Sequence, residues 1–150
     1  MTSIEIRKAT QEDLPAILSL YRQIEAGGTA TDLARAKVLF ARMQQYPDYH
    51  VYVALDRNAI VGTFALLVMD NLAHMGAPSG VVEDVAVASS RQGQGIGKEM
   101  MRFAMEHCRK AGCYKLALSS NVKRDGAHRF YDALGFERLG YSFVVADKGE

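Results

Sequence analysis

The sequence predicts a mixed α+β domain: one central sheet in β-α-α-β-β-β-α-β-α-β order, with helices on both of its faces. Three observations carry that prediction. An apolar run from Val81 to Val87 leads into glycines at alternate positions, Gly93, Gly95 and Gly97, and then into a helical stripe of Ile96, Met100, Met101, Ala104, Cys108 and Ala111. Two further strand-like runs, His50 to Leu55 and Ala59 to Met69, are joined by Asp56-Arg57-Asn58, a link short enough for a hairpin. The helices do not alternate one-for-one with the strands, so the order is not that of a repeated βαβ array.

From the start of the chain, Ile4 and Ile6 alternate with polar neighbours as a first strand. Thr10 and Asp13 form a variant of the capping box. Leu14, Ile17, Leu18, Tyr21 and Ile24 line one face of the helix behind it, and Gly27-Gly28 stops that helix. Leu33, Ala36, Leu39, Phe40 and Met43 mark a second helix, ended by Pro47. After the hairpin, Asp70 to Gly80 reads as a loop carrying His74, Met75 and Pro78. Lys115 to Ser119 is a short strand. Asp125 is placed to cap a helix bearing Ala127, Phe130, Tyr131 and Leu134, with Gly135 at its C-terminal end. Phe136 to Val145 is expected to close the sheet as a last strand, bent at Gly140.

With no repeat or low-complexity tract, residues 1–150 are expected to be a single domain. Hydrophobic residues at 49% and charged residues at 23% are ordinary for a globular chain. A formal charge of +1 argues against nucleic acid as partner, because such proteins carry a basic stripe. No uninterrupted apolar run approaches about 18 residues, and Met1 to Thr10 lacks the apolar core of a signal peptide, so no membrane contact and a cytoplasmic location are expected. Cys108 and Cys113 stand without a second pair or clustered histidines, and no metal site is expected. Cys108, on the helix stripe, reads as a buried structural thiol.

The glycine turn carries the chemistry. Glycine permits φ > 0 and close approach of a ligand, and a helix N-terminus offers unpaired N–H groups with partial positive charge. Together they suit the pyrophosphate of a nucleotide-like cofactor; alone, the turn is equally compatible with a simple helix cap. A dinucleotide fingerprint would need G-x-G-x-x-G near the start of a βαβ unit and an acid about 20 residues on. Here the spacing is G-x-G-x-G, and Tyr114 to Ser119 holds no acid. A Walker loop would need Ser or Thr after Gly97-Lys98, where Glu99 stands.

Gln92-Gly93-Gln94-Gly95-Ile96-Gly97 matches Q/R-x-x-G-x-G/A and resembles the acyl-CoA signature of the GNAT superfamily of N-acetyltransferases. A second signature agrees with it in order and spacing: Asn121, then AHRFYDALGF from Ala127 to Phe136, resembling the family's asparagine and its tyrosine helix before a G-F pair. The element order is also that of the GNAT fold. Within the superfamily, VEDVAV (Val82 to Val87) and GCYK (Gly112 to Lys115) resemble amino-sugar-phosphate acetyltransferases. SSNVKRDGAHRFY (Ser119 to Tyr131) is instead similar to aminoalkylphosphonate acetyltransferases.

The resemblance implies transfer of an acetyl group from acetyl-CoA, as co-substrate, to the primary amine of a small metabolite by direct attack. It places the pantetheine arm beside Val85, Ala86 and Val87, where a splay between strands would free main-chain N–H and C=O groups, and one N–H would hold the acyl oxygen. The pyrophosphate would lie over Gln92, Gly93, Gln94, Gly95, Ile96, Gly97 and Lys98, with Arg91 or Lys98 adding charge. Asn121 and the helix bearing Ala127 and Phe130 would complete the cofactor site. Tyr131 is the candidate general acid: a phenol with a pKa of about 10 can pass its proton to a thiolate whose conjugate acid lies near 8.5. Glu83 and Asp84 are the candidate bases. Neighbouring strand residues point to opposite faces, so at most one is expected to face the groove unless a bulge intervenes. His74 is a lesser candidate for substrate contact, and Lys123, Arg124 and Arg129 form a basic cluster suited to the cofactor 3′-phosphate or a phosphonate. A protein or peptide acceptor, a non-catalytic acyl-CoA-binding module and a nucleotide-binding regulatory domain are the rival readings. Homodimerisation through the last strands is common in the family.

Overall fold

The computed structural model describes residues 3–24, 30–120 and 124–145, which fall into two compact units, Met1–Leu118 and Ser119–Glu150. The first unit contains β1 (Ile4–Lys8), α1 (Leu14–Ile24), α2 (Leu33–Met43), β2 (Tyr49–Asp56), β3 (Ala59–Met69), β4 (Ser79–Val87), α3 (Ile96–Ala111) and β5 (Lys115–Ala117). The sheet follows chain order from β1 to β5; the first three pairings are antiparallel and β4–β5 is parallel. A parallel pair needs a crossover, and α3 supplies it.

β2 shows why the sheet is covered on both sides. Val51 to Asp56 are all buried, with no polar alternation, as expected for a strand sandwiched between helical layers. Val51, Val53 and Leu55 pack with Leu14, Ile17 and Leu18 of α1 and with Ala36 and Phe40 of α2. On the other face, the Tyr52 ring stacks on Phe64 at 5.2 Å and meets Phe103 of α3 at 5.0 Å. Ile96, Met100, Met101, Ala104 and Cys108 form the buried stripe of α3, while Ala111 is exposed. Full burial of Ile96, Met100 and Met101 contributes about 1.5–3 kcal/mol each. α3 can lie this close because Gly62 and Gly80 leave room: an added Cβ would sit 2.9 Å from the Met100 sulfur at Gly62 and overlap the Cys108 sulfur at Gly80.

Local signals set the ends of the elements. The Asp13 carboxylate accepts a 2.7 Å hydrogen bond from the Thr10 N–H, and the Arg7 guanidinium donates to both of its oxygens. That guanidinium holds the Asp13 carboxyl below the usual range, against the opposing effect of burial. The hairpin turn is Arg57-Asn58, with φ of 51° and 69°, the left-handed pair of a type I′ turn. α2 ends at Met43, ahead of Pro47, and the Gly27-Gly28 stop lies outside the described residues.

The second unit holds α4 (Asp125–Ala133), followed by Gly135 at φ 95°. Its N-cap is Arg124 rather than Asp125, which occupies the first helical position. The Tyr131 ring meets Phe130 at 5.1 Å and Phe136 at 5.7 Å, edge to face. One expectation fails here. Among the described residues, none from Phe136 to Val145 belongs to a strand. Tyr141, Phe143 and Val145 alternate as a strand would, but they are exposed and no described strand pairs with them. Alternation supplies a face, whereas a strand also needs a ladder partner.

Candidate active site

β4 carries two irregularities that shape the site. Its parallel pairing with β5 covers only Ser79, Gly80 and Val81; from Val82 onward no described strand pairs with that edge. The main chain of Val85, Ala86 and Val87 therefore lies beyond the stretch paired with β5. On the opposite edge, the β3 register shifts between Thr63 and Ala65, so Asp84 and Val85 together oppose Phe64. Asp84 absorbs the extra residue with φ 54°, a left-handed conformation uncommon outside glycine but tolerated best by Asp and Asn.

This bulge is the exception to strand alternation that the sequence left open. Glu83 aligns with Ala65, and Asp84 shares a pocket wall with Ala65, so both sit on the α1/α2 side of the sheet. Both acids are exposed, Val85 and Val87 are half-buried and Ala86 is buried.

The pocket beside Asp84 has a volume of about 180 Å³ and lies between α1, α2 and the sheet, open to solvent on one side. Ile17, Leu18 and Tyr21 line it from α1, Ala36, Leu39, Phe40 and Met43 from α2, and Tyr49, Val51 and Ala65 from the strands. Burial, and after it the Asp84 charge, pushes the Tyr21 phenol well above its ordinary value; the same two causes raise Tyr49. Both phenols therefore keep their protons at neutral pH. Neither tyrosine is recognisable as a site residue from sequence, because each reads as part of an apolar face until the cavity is seen.

The glycine turn presents a different surface. Gly93 and Gly95 have φ of 78° and 84°, and Gly95 is the N-cap of α3 with no side-chain cap bond. The first N–H groups of α3 are thus left to an external acceptor. Buried Ile96 anchors the turn, Gly97 is half-buried, and Gln92, Gln94 and Lys98 are exposed around it. Uncapped amides beside glycines at positive φ fit an anionic group such as a pyrophosphate. Arg91 is committed elsewhere: its guanidinium pairs with Asp56 and donates to the Gln94 side chain at 2.9 Å.

In the second unit, Tyr131 is half-buried, and burial raises its phenol above the ordinary value while the Arg124 charge works against that. Ala127 and Phe130 are half-buried on the same helix, and Arg124 and Arg129 are exposed. Asn121 and Lys123 lie outside the described residues. His74 stacks on the Tyr114 ring at 3.8 Å and is not among the residues that line the pocket. Burial pushes the Cys108 thiol up to about 12, in keeping with an inert structural thiol. Among the described residues, no cluster of His, Cys, Asp and Glu is placed to hold a metal, and no helix is long and apolar enough to cross a membrane.

The profile of the Acetyltransferase (GNAT) family matches residues 14–136. The chain belongs to that family. Acetyl-CoA is the acetyl donor of GNAT enzymes, and this chain is accordingly an acetyl-CoA-dependent N-acetyltransferase. It is 30% identical to an aminoalkylphosphonate N-acetyltransferase of Salmonella typhimurium, over 97% of this chain and 93% of that one. It is 28% identical to a glucosamine 6-phosphate N-acetyltransferase of Arabidopsis thaliana, over 89% of each. A solved Agrobacterium tumefaciens structure described as an acetyltransferase superposes with a TM-score of 0.90 at 29% identity, covering 95% of this chain and 99% of that one.

Proposed function

We propose that this GNAT enzyme acetylates the primary amine of a small metabolite by direct attack on acetyl-CoA, with residues 1–150 working as one catalytic domain. The carrying observation is the pocket that α1 and α2 line beside Asp84. A peptide acceptor needs an extended channel, whereas a pocket of about 180 Å³ beside the β4 bulge suits a compact molecule.

Bound acetyl-CoA supplies an acyl carbon activated as a thioester. The uncapped amides at Gly95 to Gly97, flanked by Gln92, Gly93, Gln94 and Lys98, would hold its pyrophosphate, and Asn121, Ala127 and Phe130 are further candidate contacts by family resemblance. The main chain of Val85 to Val87 would hold the pantetheine arm, and one N–H would meet the acyl oxygen as its charge grows. Asp84 takes a proton from the incoming ammonium, directly or through water, with Glu83 on the same face as the second candidate. The freed nitrogen lone pair forms the C–N bond, the C–S bond breaks, and Tyr131 passes its proton to the departing sulfur. The second proton on the nitrogen passes through water to the phenolate as the amide forms, and Asp84 releases the first to solvent, so charge and atoms balance.

The test is a panel of small primary amines and N-terminal peptides incubated with acetyl-CoA and read by free-thiol release. A small amine is expected to give the highest kcat/KM. Preferential acetylation of peptides would overturn the proposal.

A further inference from the structure

The acceptor pocket also speaks to what the rest of the amine looks like, an inference that rests on the function proposed above. Among its described lining residues there is no Lys, Arg or His, and the one formal charge is the carboxylate of Asp84. The remaining polar groups are the hydroxyls of Tyr21, Thr31 and Tyr49, and the two phenols stay protonated. Deeper in, the walls are aliphatic and aromatic side chains from α1 and α2, among them Leu39 and Phe40.

Two physical consequences follow. An ammonium entering this space meets a carboxylate and aromatic faces, both of which attract a cation. A phosphate or phosphonate entering it would find no cation among the described lining residues and would lie near a carboxylate of the same sign, an unfavourable place for an unpaired anion. Both relatives described above are named for acceptors that carry a phosphorus-borne anion. We infer that this enzyme's pocket selects an amine carried on an apolar, arylalkyl or branched alkyl body, and discriminates against amines that carry a phosphate or phosphonate.

The experiment uses the full chain. Phenethylamine and isoamylamine are compared with 2-aminoethylphosphonate and glucosamine 6-phosphate, first by kcat/KM with acetyl-CoA, then by calorimetric titration of each amine without acetyl-CoA. The apolar amines are expected to lead by about tenfold or more in both measurements, the step that one uncompensated charge interaction produces. Leu39→Arg, on the half-buried wall of α2, is expected to move the ranking toward the phosphorylated amines. Asp84→Asn is expected to weaken phenethylamine binding by about tenfold. A circular-dichroism melt of each variant checks that it is folded.

Faster turnover of 2-aminoethylphosphonate or glucosamine 6-phosphate by the natural chain would overturn the inference and leave the acetyltransferase reading intact. Binding of phenethylamine without turnover of any amine would support the pocket's preference and remove the catalytic proposal. Neither binding nor turnover of the apolar amines would remove the preference whatever else is acetylated.

Discussion

The guanidinium of Arg91, at the entrance to the glycine turn, closes an ion pair on Asp56 at the end of β2, 35 positions earlier in the chain. The carboxylate is buried and the guanidinium about one quarter exposed, at 8% and 25% of their side-chain surfaces. Through its second bond, to Gln94, the same arginine ties the hairpin end of the sheet to the turn read as the coenzyme cradle. Its charge is thereby paired within the fold, unlike the free cation that the sequence offers for the coenzyme.

Removing Arg91 strands a buried carboxylate. Arg91→Ala is expected to cost on the order of 1–3 kcal/mol in urea unfolding and to raise Kd for acetyl-CoA severalfold. Replacing the pair together, Arg91→Met with Asp56→Leu, is expected to recover most of the stability, since apolar substitutes for a buried pair are often neutral. Affinity for acetyl-CoA should stay impaired, because the tether to Gln94 is gone. Full recovery of both would reduce the pair to packing.

Tyr131→Phe is expected to lower kcat by an order of magnitude or more, with Kd for acetyl-CoA nearly unchanged. The pH profile carries a further mark. Burial raises the phenol, so it keeps its proton past its ordinary value of about 10. Any loss of turnover below that pH should therefore be absent from the Tyr131 contribution. The sign for stability is the same: the fold binds this proton more tightly than the unfolded chain, so the contribution is complete below about pH 10 and fades as pH rises through the folded value. An alkaline limb near pH 8 that vanishes in the Phe variant would contradict the assignment.

Much of the fold was legible because single residues imposed it. Asp13 could be read as a cap, Arg57-Asn58 as a hairpin link, and Ile96 to Cys108 as a buried stripe, since each depends on neighbours within a turn or two. The glycine turn was legible for the same reason. The bulge was not: Asp84 takes a left-handed φ without the glycine that would advertise it, and the cause is the register of β3 across the sheet. The pocket was hidden because Tyr21, Leu39 and Phe40 satisfy the helical apolar pattern whether they fill a core or line a cavity. Tyr141 to Val145 failed in the opposite sense, having a strand's alternation without a described partner.

The contact between α3 and β4 at Gly80 yields a stability prediction independent of the chemistry. An added Cβ would overlap the Cys108 sulfur, whose short side chain has nowhere to swing in a buried stripe. Gly80→Ala is expected to cost about 1–3 kcal/mol by overpacking. Cys108→Ala alone should cost less, and the double variant should be more stable than Gly80→Ala, a coupling measurable by a double-mutant cycle. Additive penalties would mean that β4 yields instead of the sulfur.

The same strand sets stability against activity at Asp84. Its φ of 54° is strained for any residue with a Cβ, a cost of order 1 kcal/mol that persists only where the surrounding structure enforces it. Glycine adopts that conformation freely, although it also gives the unfolded chain more freedom. Asp84→Gly is therefore expected to leave the melting temperature unchanged or slightly raised, while kcat/KM for the amine falls by roughly 10²-fold through loss of the base. Asp84→Asn should keep the backbone preference and lose the same activity, which separates charge from conformation. A Gly variant that melts well below the parent would show that the carboxylate, and not the bulge, holds β4 in place. Full activity in the Asn variant would pass the base role to Glu83, which the register of β3 puts on the same face.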